Sequence, residues 1–518
     1  MRPRPSPLLV LLACVSACAR PYLPLRADAP AYPPVPDSVV HATSTFAGRG
    51  DVPLFAQAWR PAAGDVRGVL VIMHGLRDHG DHYAVFAATL CARGYAVYAF
   101  DLRGHGRSAG RRVSVDSFDD YVADLDAYLE RVRAAEPGKP LFVYGHSMGG
   151  AIVARWAELQ ELGAQPAGIV LSAPALRIDL PPIAAAGILL AATLTPNAGG
   201  LAPDNDGFSS DPAVTADMDR DPLIYQPAGP VGTARQLVDG IELFWAHVDR
   251  LRAPLLLLHG TADKLTAPAG SREIYTRARS RDKTLRLYPG LYHDLVHEPK
   301  RDQVIADVLV WLDAHTGGPP AEFPAPDLTT PLPGEGNPPS LALALEGQYL
   351  RRHDDENEVG AALRTRVLFS DGGYALGLDA SAGAAGGDFV YRAVAYPLGF
   401  AFLPRKLLLG DQVSISAGGG VSDAGGGLAG EADVSADWAS QYRWVRMLAW
   451  LRYTRIFGDD TRKDEWHLGL AFRLGRNHRY WSTTNAGTGP YLGYVQTRHD
   501  DNQWDYGLVL GLDLWGGH

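Results

Sequence analysis

Uninterrupted apolar runs recur through the first part of the chain: Val69-Leu70-Val71-Ile72-Met73, Ala96-Val97-Tyr98-Ala99-Phe100, Leu141-Phe142-Val143-Tyr144, Gly168-Ile169-Val170-Leu171 and Leu255-Leu256-Leu257-Leu258. Runs without polar alternation are what strands buried on both faces look like. Between two of them Tyr121, Leu125, Leu129 and Val132 recur at helical spacing, which predicts a helix with one apolar face. Strands and helices alternating in this way predict a mostly parallel sheet covered by helices, an α/β domain over residues 41–316. From about Leu176 to Trp245 the pattern breaks, which predicts a helical cap over the sheet's working end.

Beyond Ser340 the period changes to two. Leu341, Leu343 and Leu345 alternate with Ala342, Ala344 and Glu346; Val359, Ala361, Leu363, Thr365 and Val367 alternate with Gly360, Ala362, Arg364, Arg366 and Leu368. The alternation returns at Leu468, Leu470, Phe472 and Leu474, and again at Leu508, Leu510, Leu512 and Leu514. One face is apolar and the other small, polar or charged, as in antiparallel strands with two different surroundings. Segments of roughly ten residues, separated by turns such as Asp371-Gly372-Gly373 and Gly458-Asp459-Asp460, predict an all-β domain over residues 341–518, an antiparallel barrel of about eight strands. Aromatic residues recur near the strand ends, so this region resembles outer-membrane barrels with their aromatic girdles. A soluble barrel or sandwich burying its apolar face inside fits the same alternation. The region departs from outer-membrane barrels in carrying three residues after Trp515.

Composition adds the boundaries. Proline-rich stretches at residues 19–40 and 317–340 read as a tether and an interdomain linker. The 48 basic and 58 acidic residues give a net charge of -10 with no Lys/Arg block, which argues against a nucleic-acid partner. Arg2 and Arg4 precede an apolar run from Leu8 to Val15 and then Val15-Ser16-Ala17-Cys18. This pattern, residues 1–18, resembles a bacterial lipoprotein signal with its lipobox, which implies cleavage before Cys18 and lipidation of its thiol. A plain secretory signal cut near the same place is the alternative. Ala19 follows the cysteine where an aspartate would favour inner-membrane retention, so the resemblance implies the outer membrane, with the α/β domain facing the periplasm. Cys14 leaves with the signal, and Cys91 then stands alone, so no disulfide framework is available. Its place in the helical pattern Tyr83 to Leu90 predicts a small core residue.

The candidate chemistry centres on Gly145-His146-Ser147-Met148-Gly149-Gly150, between the run ending at Tyr144 and the helical pattern from Ala151 to Trp156. A serine flanked by glycines between a buried strand and a helix reads as a nucleophile elbow, its hydroxyl raised above the sheet edge. Serine attack needs a base and an orienting carboxylate. Asp263 stands just past the run Leu255 to Leu258, and His293 just past Thr284-Leu285-Arg286-Leu287-Tyr288. Ser, Asp, His is the chain order of an α/β-hydrolase. No Gly-rich loop suits a dinucleotide, and no His, Cys or carboxylate cluster has metal-ligand spacing, so no cofactor is expected.

Five motifs in order, His74-Gly75-Leu76-Arg77-Asp78-His79-Gly80, Phe100-Asp101-Leu102-Arg103-Gly104-His105-Gly106-Arg107-Ser108, the elbow, Gly260-Thr261-Ala262-Asp263-Lys264-Leu265-Thr266 and Tyr288-Pro289-Gly290-Leu291-Tyr292-His293, carry a family resemblance over about half the chain. The region is similar to the monoacylglycerol lipase and lysophospholipase branch of the α/β-hydrolases, which also holds serine aminopeptidase-like members. The resemblance implies Ser147 as nucleophile, Asp263 as the acid and His293 as base, with the N–H groups of Leu76 and Met148 as oxyanion hole. It implies hydrolysis of acyl-lipid esters such as monoacylglycerol or lysophospholipid through an acyl-enzyme; an aminopeptidase or thioesterase is the alternative within the fold. His297 is a rival base and Asp101 a rival carboxylate. His74 and His79 are expected to hold the oxyanion loop by hydrogen bonds. The cap stretch Leu180 to Leu190 is apolar enough to guide an acyl chain or touch a membrane, or to pack on its own domain. A reading from another class makes the barrel the working part, a pore or an anchor with the hydrolase as passenger.

Overall fold

The computed structural model describes residues 31–160, 165–178, 191–201 and 205–333, the isolated positions 188 and 503, and from residue 340 onward the strands named below. The signal with Cys18, most of the tether, the apolar cap stretch from Leu180 to Leu190 apart from Ile188, and the turn at Gly458 lie outside the described residues. The chain divides into two compact units, with the second beginning its continuous part at Glu335.

The first unit is built on eight strands: β1 (Val39–Ala47), β2 (Pro53–Pro61), β3 (Gly68–Met73), β4 (Tyr95–Phe100), β5 (Leu141–His146), β6 (Gly168–Ser172), and then, after the short cap pair β7 (Gly199–Leu201) and β8 (Gly229–Pro230), β9 (Leu255–Gly260) and β10 (Lys283–Tyr288). They lie in the order β1-β2-β4-β3-β5-β6-β9-β10. The β1–β2 and β2–β4 pairs are antiparallel and the rest parallel. Strands β3, β4, β5, β6 and β9 are buried at every position, the outcome expected of runs without polar alternation. The Phe118–Ala135 helix buries Tyr121, Leu125, Leu129 and Val132 and is capped by Ser117, whose side chain accepts from Asp119 N–H. Leu70, Ile72, Phe142, Tyr144, Leu256 and Trp311 belong to one core cluster, in which Cys91 is a buried free thiol. Each such aliphatic side chain contributes about 1.5–3 kcal/mol on burial. The cap carries helices at Pro212–Arg220 and Val231–His247. Trp245 fastens it through an Nε1–H bond of 2.7 Å to the Leu176 carbonyl.

The second unit is a closed antiparallel barrel of β11 (Ser340–Arg351), β12 (Asn357–Leu368), β13 (Gly373–Ala385), β14 (Asp388–Phe402), β15 (Gln412–Asp423), β16 (Leu428–Gln441), β17 (Val445–Phe457), β18 (Arg462–Leu474), β20 (Asn485–Arg498) and β21 (Trp504–Gly517), with β19 (Asn477–His478) beside β20. Neighbours pair all the way round, and β11–β21 and β18–β20 complete the ring. The sequence predicts about eight strands; among the described residues there are ten long ones and a two-residue piece. The undercount has a physical cause. The outward positions Ala382, Ala384, Ala417 and Gly419 of β13 and β15 are too small to make a visible alternation.

The alternation resolves with its apolar face outward. Phe389, Leu398 and Leu510 are each 65% exposed, and Leu345, Val359, Leu468, Leu492 and Leu508 are exposed with them. Glu346, Asp379, Asp433, Arg452, Thr454 and Asp505 are buried within. The soluble alternative, with the apolar face inside, is therefore not the arrangement found. Tyr349, Phe389, Phe457, Trp466, Trp504 and Tyr506 stand exposed near the strand ends at one rim. Among the described residues no helix is long and apolar enough to cross a membrane.

Candidate active site

Ser147 stands between β5 and the Met148–Leu159 helix with φ 53° and ψ -120°, a strained turn for a residue with a side chain. Three contacts hold it: its N–H donates to the Ser172 carbonyl at 3.0 Å, and its carbonyl accepts from Ala175 N–H at 2.8 Å and Ala151 N–H at 3.1 Å. The flanking glycines are required by crowding. A Cβ on Gly149 would sit 2.3 Å from the Met73 carbonyl oxygen, and one on Gly145 would sit 2.6 Å from the carbonyl oxygen of Gly149. Met148 opens the helix, so its N–H is among those left without an intrahelical acceptor.

Asp263 and His293 come from the loops after β9 and β10, strands that lie side by side. His293 Nδ1 lies 2.8 Å from Asp263 Oδ2. The carboxylate is satisfied at both oxygens: Oδ1 accepts from Leu265 N–H at 2.8 Å and Thr266 N–H at 2.9 Å, and Oδ2 from the Thr266 hydroxyl at 2.9 Å. His259 Nε2 lies 3.1 Å from Oδ2, its Nδ1 being held by Ser271 Oγ at 2.7 Å. Burial opposes ionisation of Asp263, but His293 and His259 outweigh it and hold the carboxyl well below the usual range. The other nitrogen of His293, Nε2, is buried with no hydrogen-bond partner. The His293 ring lies 4.7 Å from that of His146, the residue before Ser147. Burial pushes His146 down to about 4, so it stays neutral and adds no charge beside the pair.

The loop after β3 carries Leu76. His74 Nε2 accepts from Leu102 N–H at 2.9 Å, which leaves its Nδ1 to donate to the Gly75 carbonyl at 2.8 Å. Gly75 lies against the serine: a Cβ there would meet Ser147 Cβ at 3.1 Å.

Residues 64–300 match the family described as serine aminopeptidase, S33. The monoacylglycerol lipase of Mycolicibacterium smegmatis is 36% identical over 280 residues, covering 54% of this chain and 99% of that protein. The monoglyceride lipase of Homo sapiens is 31% identical over 51% of this chain and 88% of its own length. The caffeoylshikimate esterase of Arabidopsis thaliana is 32% identical over 50% of this chain and 82% of its own. The chain belongs to the monoacylglycerol lipase-like α/β-hydrolases. The family match ends before the barrel begins.

Within this hydrolase the rival residues have other work. His297 has both nitrogens engaged, Nδ1 with Asp294 Oδ2 at 2.8 Å and Nε2 with the His82 carbonyl at 2.8 Å, so neither is open to a substrate hydroxyl. Asp101 accepts from Gly80 N–H at 2.8 Å and Arg107 N–H at 2.7 Å, shaping the loop. Three neighbours went unread in the sequence: His259 and Thr266, which fasten Asp263, and Phe208 of the cap, whose ring stands edge-on to His293 at 5.6 Å. The i, i+4 spacing of His259 and Asp263 was the available signal for the first. Among the described residues the fold also assembles a histidine–carboxylate cluster that no local spacing in the sequence announces. His79, His82 and Asp221 bring donor atoms within 4.8 Å of one another, because the cap returns Asp221 to a loop some 140 residues earlier in the chain. Both His82 nitrogens face carboxylates, Asp78 Oδ1 at 2.6 Å and Asp221 Oδ2 at 3.1 Å. Burial disfavours charge on this ring, yet the two carboxylates raise it to about 10, so the cluster reads as an ion-paired imidazolium.

Proposed function

We propose that the first unit is a cofactor-free serine hydrolase of acyl-lipid carboxylic esters, monoacylglycerol or lysophospholipid, working through an acyl-enzyme. The observation that carries this reading is the His293 imidazole. One nitrogen binds an ionised, fully satisfied carboxylate; the other is buried, unpartnered, and belongs to a ring packed beside the residue that precedes the elbow serine. In the proposed reaction His293 Nε2 takes the Ser147 Oγ proton as that oxygen attacks the ester carbonyl. The N–H groups of Leu76 and Met148 hold the oxyanion, each such donor supporting on the order of 3 kcal/mol of barrier lowering. Collapse breaks the bond to the glycerol oxygen, which leaves with the proton from His293. A water then gives its proton to His293 and attacks the acyl-serine, releasing fatty acid and restoring Ser147. Asp263 fixes the imidazole tautomer and stabilises its charge. The likeness to lipases and to a plant esterase supports ester chemistry.

The same proposal assigns the barrel to anchoring in the outer membrane, with lipidation at Cys18 and the hydrolase in the periplasm. An outward apolar surface with aromatic residues at one rim supports a lipid-facing wall. Side chains that cross the lumen support an anchor over a pore. The Arg364 guanidinium of β12 lies 3.6 Å from the centre of the Trp450 ring on β17, on the opposite side of the ring of strands. Arg452 of β17 pairs with Asp379 of β13, four strands away round the ring.

The test is labelling of the intact protein by a fluorophosphonate, with the adduct located by mass spectrometry, beside a panel of acylglycerols, thioesters and aminoacyl anilides. Modification at Ser147, competed by monoacylglycerol, and a Ser147→Ala turnover reduced by roughly a millionfold are the expected results. Near-normal turnover in Ser147→Ala, or preference for anilides, overturns the assignment.

A further inference from the structure

The loop that carries Leu76 is fastened to the cap on both sides of that residue. On its C-terminal side Arg77, at φ 57°, reaches across to the segment after the Pro212–Arg220 helix. Its Nε donates to the Tyr225 carbonyl at 3.0 Å, and its Nη2 to the Gln226 carbonyl at 3.3 Å and side-chain Oε1 at 3.1 Å. A non-glycine residue holds a left-handed φ only where its surroundings over-determine it, and these contacts are what does so here.

The other fastening runs through carboxylates. Asp221 terminates the Pro212–Arg220 helix and is fixed by Leu223 N–H, which donates to its Oδ1 at 2.7 Å. Its other oxygen takes His79 Nε2 at 2.9 Å and His82 Nε2 at 3.1 Å. His82 Nδ1 passes the connection to Asp78 Oδ1 at 2.6 Å. Asp78 Oδ2 in turn accepts from the Tyr83 hydroxyl at 2.9 Å and, at 3.4 Å, from the N–H of Gly75, the residue packed against Ser147. A continuous chain of polar contacts thus leads from the end of a cap helix to the backbone immediately before Leu76.

Resting on the ester-hydrolase reading above, we propose that His82 is a positioning residue: the Asp221–His82–Asp78 bridge, with the Arg77 clamp, seats the cap on the oxyanion loop and so sets where the Leu76 N–H points. Substrate does not touch His82 in this scheme; its effect is exerted through the loop. An oxyanion donor works only if it is aimed before charge develops, so a loop fastened to the cap on both sides of Leu76 has that N–H set in place ahead of the chemical step. The cap thereby also controls the chemical step.

The test compares His82→Gln, His82→Arg and Asp221→Asn with the wild type in the full chain, reading kcat and KM on a monoacylglycerol, the rate of fluorophosphonate labelling at Ser147, and Tm. His82→Gln keeps a hydrogen-bonding side chain but removes the cation. It is expected to lose kcat and labelling rate together by about ten- to a hundredfold, less than outright loss of a donor, with KM within about twofold. Asp221→Asn should do the same, and His82→Arg, which can pair with both carboxylates, should recover most of the rate. Unchanged kcat in His82→Gln overturns the proposal, as does a rise in KM alone, which would assign the bridge to binding. A His82→Arg as slow as His82→Gln also overturns it, since the need would then be for imidazole itself. A wild type that neither turns over ester nor labels at Ser147 removes the hydrolase reading and this proposal with it; the first three results leave the hydrolase reading standing.

Discussion

At the scale of single residues the site is organised by which histidine nitrogens are occupied. His74, His259 and His297 each have both nitrogens engaged, whereas His293 keeps Nε2 open in a buried position. His79 Nδ1, His105 Nε2 and His146 Nδ1 are also buried without partners, so what sets His293 apart is the combination of its open nitrogen, its contact with Asp263 and its ring packed beside the residue before the elbow serine. His82 is the opposite extreme, faced by Asp78 and Asp221 with His79 and His297 close by. Its raised folded value sets a pH dependence of stability whose sign is fixed by linkage. The contribution is fully present below about pH 6.5, the ordinary imidazole value, and is lost as pH rises towards about 10, because only the folded state still holds the proton there. Thermal unfolding from pH 6 to 10 should therefore show Tm of the wild type falling more steeply than that of His82→Arg, whose charge does not titrate in this window. Parallel slopes would mean that His82 is not charged in the folded protein.

At the scale of elements, the strands that buried apolar runs marked are where the sequence put them, because burial on both faces leaves a composition no loop shares. The elbow was legible for a different reason: its glycines answer to backbone atoms that cannot move. Gly149→Ala would push a methyl group into the ends of β3 at Met73 and His74, and is expected to destabilise the hydrolase unit by on the order of 3 kcal/mol, the upper end of overpacking costs. Denaturant unfolding followed by tryptophan fluorescence checks this, and a shift in midpoint no larger than that of a surface Ala substitution would contradict the crowding described. The cap was the least legible element. Asp221, Tyr225 and Gln226 meet Arg77 and His82 only through tertiary folding, across about 140 residues, and no local period announces such a contact. Thr266 escaped notice for a related reason. It is one hydroxyl in a loop, and its value appears only once Asp263 turns back towards it. In the barrel, alternation identified the strands with large outward side chains and missed the count where alanine and glycine take those places.

At the scale of the whole molecule, two units of opposite logic share one chain: the hydrolase buries its apolar residues, and the barrel turns them outward while pairing charges within. An ion pair and an arginine–tryptophan stack that span the lumen predict that full-length protein reconstituted in a planar bilayer gives no stable conductance, and that Arg364→Ala with Arg452→Ala raises it. Open-channel currents from the wild type would favour the pore over the anchor. The ring of strands has a further consequence for how the protein is made. β11 and β21 are hydrogen-bonded along their lengths, so the earliest strand of the barrel waits for the latest before its outer edge is covered. The hydrolase sheet, by contrast, has its last strand by Tyr288. During synthesis the hydrolase unit can thus acquire its fold while the strands behind it still present bare edges, and it is this stretch of the chain's life, rather than the finished molecule, in which chaperones have most to protect.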